Sequence, residues 1–122
     1  MIRAAIVDDH HAVRIGLNAA LQSGSGLVSV GTAASAAELA SLLYRSRPEI
    51  VLLDYNLPDG DGLTVCHRIK SQAVAPAVIV CSAFADRSMT VPAIVAGADG
   101  ILHKALPSRH LFEAISRPRS RW

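Results

Sequence analysis

Five side chains able to handle a charged group stand where apolar runs stop. Asp8 and Asp9 follow the run at residues 2–7, Asp54 follows 50–53, Ser82 follows 77–81, and Lys104 follows 100–103. Three carboxylates brought close together repel one another, and at least one would hold its proton unless a cation relieves the charge. A hard dication does so: Mg²⁺ takes an octahedron of oxygen ligands, usually one or two carboxylates with waters and phosphate oxygens. A phosphoryl group arriving on a carboxylate needs that same dication, with an ammonium and a hydroxyl as further donors. The set therefore reads as an Asp nucleophile, a metal-binding Asp pair, a hydroxyl and an ammonium. Each position alone has a plainer explanation. Asp9 or His10 could cap a helix, Asp54 could form a turn ahead of Asn56 and Pro58, Ser82 could be a cap, and Lys104 a solvated charge. The weight lies in their combination at successive strand ends.

The elements that must position these residues alternate along the chain. Residues 2–7 read as a short strand, and residues 12–22 carry Val13, Leu17 and Leu21 at helical spacing, with Gly24 and Gly26 closing the helix. Residues 27–32 are a second strand. Ser35 with Glu38 three places on is a capping box ahead of Leu39, Leu42 and Leu43, and this helix stops before Pro48. The unbroken apolar run Ile50-Val51-Leu52-Leu53 suits a strand covered on both faces. Residues 56–62 form a turn region rich in Asp, Gly and Pro, followed by a helix at 63–70 and a strand at 77–81. A fifth strand is expected at 100–103 and a fifth helix at 108–116. Pro92 would cost about 3 kcal/mol in a helix interior. The fourth helix is therefore expected to start late, with Thr90 as N-cap, Pro92 in the first turn and an irregular segment at 86–89.

Five strand–helix units with short connections imply an α/β fold, a doubly wound five-stranded parallel sheet. In open sheets of this kind the ligand crevice lies at the carboxyl ends of the strands, where strand order reverses. With order 2-1-3-4-5, strands one and three flank that point. Asp8, Asp9 and Asp54 would converge there, with Ser82 and Lys104 beyond Asp54.

Composition bounds the rest. The chain has 122 residues, which suits one domain, and its 51% hydrophobic content supports one core. Aromatics are only 4%, so that core must be aliphatic. A net charge of +2 does not by itself argue for nucleic-acid binding. No apolar stretch is long enough to span a bilayer, and residues 1–3 lead straight into a strand, so a cytoplasmic protein without membrane contact is expected. Cys66 and Cys81 lack metal-type spacing and read as buried or half-buried reduced thiols. Seven Asp against three Glu direct attention to loops and element ends, because Asp is a poor helix former.

The residues also resemble a known family. Val7-Asp8-Asp9-His10, residues 52–62, Val80-Cys81-Ser82-Ala83 and residues 97–104 are similar to response-regulator receiver domains, and the likeness runs from Ile2 to about Ile115. The Asp-Asp-His start and the Ala-Gly-Ala-Asp-Gly run look most like the NarL/LuxR-type subgroup. The resemblance implies a flavodoxin-like (βα)5 receiver domain at residues 1–116. It implies that Asp54 accepts a phosphoryl group from a sensor histidine kinase. Mg²⁺, or Mn²⁺, would be held by the side chains of Asp9 and Asp54, by the backbone carbonyl of Asn56, and by Asp8 through water. Ser82 and Lys104 would bind the phosphoryl oxygens. The domain would be a signalling module rather than an enzyme, forming a homodimer on activation. Residues 117–122 would start a linker to a C-terminal output domain outside this chain, through which DNA would be bound.

Some positions depart from the family pattern. Ile101 stands where Tyr or Phe is common, so no ring can move inward with the hydroxyl residue. Ala105, His103 and His11 are also unusual, and Arg109 and His110 occupy a first helical turn where acidic residues suit the dipole better. Two other classes compete. One is an atypical receiver serving as a phosphorylation-independent interaction or dimerisation module. The other is an aspartate-nucleophile phosphatase, which would need an acid where Asn56 stands. Flavin binding is disfavoured by the acidic loop after the first strand.

Overall fold

The computed structural model describes residues 2–21, 26–82 and 87–103. Within them the chain alternates β1 (Ile2–Val7), α1 (His11–Leu21), β2 (Leu27–Ala33), α2 (Ala36–Ser46), β3 (Ile50–Asp54), α3 (Gly62–Lys70), β4 (Ala77–Ser82), α4 (Thr90–Ala96) and β5 (Gly100–His103). The main sheet has the order β2-β1-β3-β4-β5 with every pair parallel, as expected for the flavodoxin-like arrangement. The expected helix at 108–116 and the tail at 117–122 lie outside the described residues.

Strand periodicity sorts the core into two layers. Val7, Val51, Leu53, Val78 and Val80 face one side, where Leu39 and Leu42 of α2, Val65, Cys66 and Ile69 of α3, and Ala93 and Ala96 of α4 pack on them. The alternate residues Ile6, Ile50, Leu52 and Ile79 face the other side, against Leu17 and Leu21 of α1. Because β1, β3 and β4 are covered on both faces, their sequences read as continuous apolar runs rather than alternating ones. Cys66 is buried and Cys81 half-buried, both as free thiols. Burial pushes the Cys66 thiol up to about 11.

Helix ends follow local chemistry. Ser35 is the N-cap of α2, its Oγ accepting from Glu38 N–H at 3.1 Å. The return half of the expected capping box closes differently: the Glu38 carboxylate accepts from the Ser35 hydroxyl at 3.3 Å. Arg47 ends this helix in the left-handed region, directly before Pro48.

The late start of α4 is borne out, with Pro92 its third residue, but the cap is not the expected one. Met89 holds the N-cap position and Thr90 is already helical. Residues Arg87–Met89 form a turn of 3-10 helix instead of an irregular segment. The two corrections share a cause. A side-chain cap requires extended backbone at the cap residue, whereas Met89 at φ −86°, ψ −15° carries the preceding turn straight into the helix. At the other end Gly97 takes φ +88°, and its N–H and that of Ala98 bond to the carbonyls of Ile94 and Ala93.

A half-buried ion pair ties α3 to the far edge of the sheet. Lys70 Nζ donates to Asp99 Oδ2 at 2.9 Å and to the Pro76 carbonyl at 3.0 Å. The same carboxylate oxygen accepts from Val78 N–H at 2.8 Å. Asp99 thereby anchors the start of β4 and the turn that leads into β5.

Candidate functional site

The parallel register sets the carboxyl ends of β1 and β3 side by side, with Val7 opposite Leu53. Asp8 continues past β1, its N–H donating to the Ala33 carbonyl at 3.0 Å. Asp54 is the last residue of β3, and Tyr55 N–H carries the ladder on to the Cys81 carbonyl at 2.9 Å. Asp8 and Asp54 are each only 2% exposed, whereas Asp9 lies open at the rim. The side-chain donor atoms of Asp8, Asp9, His10 and Asp54 all lie within 4.8 Å of one another. Among the described residues, no other group of His, Cys, Asp and Glu converges in this way.

Backbone hydrogen bonds hold the cluster in place. His10 N–H donates to Asp8 Oδ1 at 2.9 Å, and the His10 carbonyl accepts the first bond of α1 from Arg14 N–H. Arg14 reaches back, with Nη1 donating to the Asp8 carbonyl at 2.6 Å. Asn56 N–H points at Asp54 Oδ1 across 3.4 Å, so Asn56 meets the site through its backbone.

The loop after Asp54 is a small ribbon in which Asn56–Leu57 pairs antiparallel with Gly60–Asp61. It is pinned twice. Asp59 reaches across to α2, its two carboxylate oxygens accepting from Ala36 and Ala37 N–H at 2.8 and 3.1 Å. Asp61 caps α3, accepting from Thr64 N–H at 2.9 Å and from the Thr64 hydroxyl at 2.8 Å. These bonds favour the ionised forms and hold both carboxyls below their ordinary 3.8. Gly62 completes the turn because nothing larger fits: a Cβ there would stand 2.7 Å from the Asp54 carbonyl oxygen and the Tyr55 Cα.

Ser82 is buried at the end of β4, one residue beyond the Cys81 that faces Asp54 in register. On its other side Ser82 pairs with His103, the last residue of β5. Lys104 lies outside the described residues. The structure thus brings together Asp8, Asp9 and Asp54, sets Asn56 beside Asp54, and puts Ser82 on the next strand end. It adds His10, which the sequence offered as a possible cap and as part of the Asp-Asp-His run but not as a site residue. The available signal was its place as third member of an Asp-Asp-His run at a strand end, since imidazole is the commonest metal ligand.

Comparison with known proteins agrees with this geometry. The response regulator receiver domain pattern matches residues 4–116. The DNA-binding transcriptional activator DevR/DosR of Mycobacterium tuberculosis is 32% identical over 94% of this chain and 53% of its own length. The transcriptional regulatory protein LiaR of Bacillus subtilis is 31% identical over 94% of this chain and 54% of its own length. The chain therefore spans about half the length of these curated relatives. Among solved structures, the receiver domain of the response regulator NarL from M. tuberculosis superposes with a TM-score of 0.86 at 29% identity, covering 93% of this chain and 92% of that one. A LuxR-family two-component response regulator from Aurantimonas gives a TM-score of 0.85 at 29% identity, covering 93% of this chain and 81% of that one. The pattern match, the identities and the shared fold together make the chain a member of the response regulator receiver domain family, and its relatives are of the NarL/LuxR type.

Proposed function

We propose that this domain receives a phosphoryl group on Asp54 from a sensor histidine kinase, in a reaction that requires Mg²⁺ or Mn²⁺. The observation that carries the proposal is the convergence of the Asp8, Asp9 and Asp54 carboxylates at the β1 and β3 ends. The donor set fits a hard dication, because carboxylate oxygens suit Mg²⁺ and Mn²⁺. Asp9 and Asp54 would hold the ion by side chain, Asn56 by its backbone carbonyl and Asp8 through water. When bound, the dication would screen the charge that builds up on the phosphoryl oxygens.

An oxygen of the Asp54 carboxylate attacks phosphorus, and the bond between phosphorus and the kinase imidazole nitrogen breaks. That nitrogen leaves with the electron pair. Burial of Asp54 keeps bulk water from its carboxylate. Ser82 and Lys104 would donate to the phosphoryl oxygens. The register supports this role for Ser82, which stands one residue past the partner of Asp54. The domain is then a phosphoacceptor of residues 1–116 in a cytoplasmic signalling protein, not a turnover enzyme. Residues 117–122 would lead to a C-terminal domain that binds DNA, and phosphorylation would favour a homodimer. Ile101 packs half-buried against the α2–α4 side of the core, so the relay to the surface would proceed through aliphatic packing instead of a moving ring. A phosphorylation-independent docking module is the less favoured reading, because it gives no reason for three acids to converge.

Incubation with acetyl phosphate and Mg²⁺, followed by intact-mass measurement, should add one phosphoryl group. Asp54→Asn should abolish the adduct. No adduct on the unaltered chain, or an undiminished one on Asp54→Asn, would overturn the proposal.

A further inference from the structure

The strand-end cluster contains one donor for which the all-oxygen site has no use. His10 Nδ1 stands 3.0 Å from Asp8 Oδ1 and 3.1 Å from Asp9 Oδ1. In an octahedron with bonds of about 2.1 Å, neighbouring donors are about 3.0 Å apart and opposite ones about 4.2 Å. The 3.1 Å separation from Asp9 Oδ1 matches neighbouring vertices, Asp8 Oδ1 at 3.0 Å holds the ring beside them, and the four donors all lie within 4.8 Å of one another. The His10 backbone is fixed on both sides, by its N–H to Asp8 and by its carbonyl to Arg14. The ring itself is 64% exposed, so the carboxylates orient it, not packing.

We infer that His10 Nδ1 is a third side-chain ligand of the ion, beside Asp9 and Asp54, and that it makes the site favour borderline dications such as Ni²⁺, Co²⁺ or Zn²⁺ over Mg²⁺ by more than the carboxylates alone would. This rests on the strand-end cluster being a metal centre, as proposed above. Mg²⁺ seeks oxygen and gains little from imidazole, whereas nitrogen ligands suit the later transition metals. For the ring to coordinate, Nδ1 must present its lone pair and the remaining proton must sit on Nε2. Both neighbours of Nδ1 are carboxylate oxygens, so an ion binding there takes the place of the proton that Nδ1 would otherwise donate to them. The consequence is a receiver whose metal occupancy depends on which dications are present, not on Mg²⁺ alone.

The experiment titrates the metal-free chain with Ni²⁺ and, separately, with Mg²⁺ by calorimetry, comparing it with His10→Ala and Asp9→Asn. His10→Ala should weaken Ni²⁺ binding at this site by about tenfold or more and change Mg²⁺ binding by less than about threefold. Asp9→Asn should weaken both ions. The chain's other histidines are retained in every variant, so binding at those rings cancels from the comparison. Pulsed electron paramagnetic resonance of the Mn²⁺-loaded chain should show the nitrogen coupling of a directly bound imidazole, and His10→Ala should remove it. An unchanged Ni²⁺ affinity in His10→Ala, an equal loss of both ions, or a nitrogen coupling that survives the substitution would overturn the inference while leaving the metal centre standing. If Asp9→Asn leaves both affinities unchanged, the metal centre itself fails, and the role of His10 with it.

Discussion

Two sets of aspartates in this domain do opposite things with the same side chain. Asp59, Asp61 and Asp99 each accept hydrogen bonds from backbone N–H groups, and each thereby joins two parts of the chain. Asp59 ties the ribbon at 56–61 to the start of α2, Asp61 caps α3, and Asp99 binds Lys70 and the start of β4. Asp8 and Asp54 accept from backbone N–H groups just two positions on, and with Asp9 they turn their donor atoms toward one another. The first set spends its negative charge on stability. In the second set the charge is concentrated, which costs stability in the absence of a cation and makes a place for one. Asp59 and Asp61 also serve the other set: they fix the loop that follows Asp54 and the helix starts beside it.

This contrast can be tested by removing one acid from each set. The largest effect is expected at Asp99. Asp99→Ala leaves the ammonium of Lys70 without its carboxylate and the Val78 N–H without its acceptor, in a pair whose side chains are only 23% and 18% exposed. Loss of a buried partner is costly, and allowing for this partial exposure the substitution should destabilise the domain by about 2–3 kcal/mol. Urea unfolding would measure it, and a midpoint within error of the unaltered chain would break the comparison.

A smaller loss, about 1 kcal/mol, is expected for Asp61→Ala, which removes the N-cap of α3. Its pH dependence identifies the cause. The carboxyl of Asp61 is held below its ordinary 3.8 by the Thr64 N–H and hydroxyl. Its contribution should therefore be fully present above about pH 4 and disappear as pH falls through the lower folded value. Unfolding curves of the two proteins should draw together as the solution is acidified below about pH 4, and a gap that does not narrow with falling pH would mean that charge is not what stabilises the cap.

The smallest effect should have the opposite sign. Asp9→Asn removes one of the mutually repelling carboxylates at an exposed position, so without divalent cation it should raise stability by about 0.5 kcal/mol. Added Mg²⁺ should then stabilise the unaltered chain and do much less for the variant. Destabilisation of the metal-free protein by Asp9→Asn would place Asp9 with the structural set.

The sequence made some of these distinctions legible. Asp54 stood out because it ends a run of four apolar residues, and a strand buried on both faces must put its first polar side chain at the sheet edge. Ser35 and Glu38 announced the start of α2 at the spacing that the capping bond requires. Pro92 announced a late α4, because its ring excludes it from a helix interior. Where the reading missed, the deciding interaction was distant or conformational. Asp59 acts on residues 22 and 23 positions away, and Lys70 meets Asp99 across 29 positions. Met89 displaced Thr90 as the cap because a 3-10 turn ran directly into the helix.

The sequence by itself determined which residues end strands and helices, since periodicities of two and of 3.6 residues and turn chemistry are local properties. It thereby placed Asp8, Asp9, Asp54 and Ser82 at strand ends. Only the tertiary structure decided which of those ends are neighbours. Parallel pairing of β3 between β1 and β4 brought Asp54 beside Asp8 and Asp9 on one side and toward Ser82 on the other. It likewise decided that Asp59 turns its carboxylate to the start of α2, 22 and 23 positions away, and that His10, Asp8 and Asp9 meet Asp54. The physical reason is that a carboxylate's role depends on what it faces, and what it faces is set by pairing across the sheet, which no local pattern encodes.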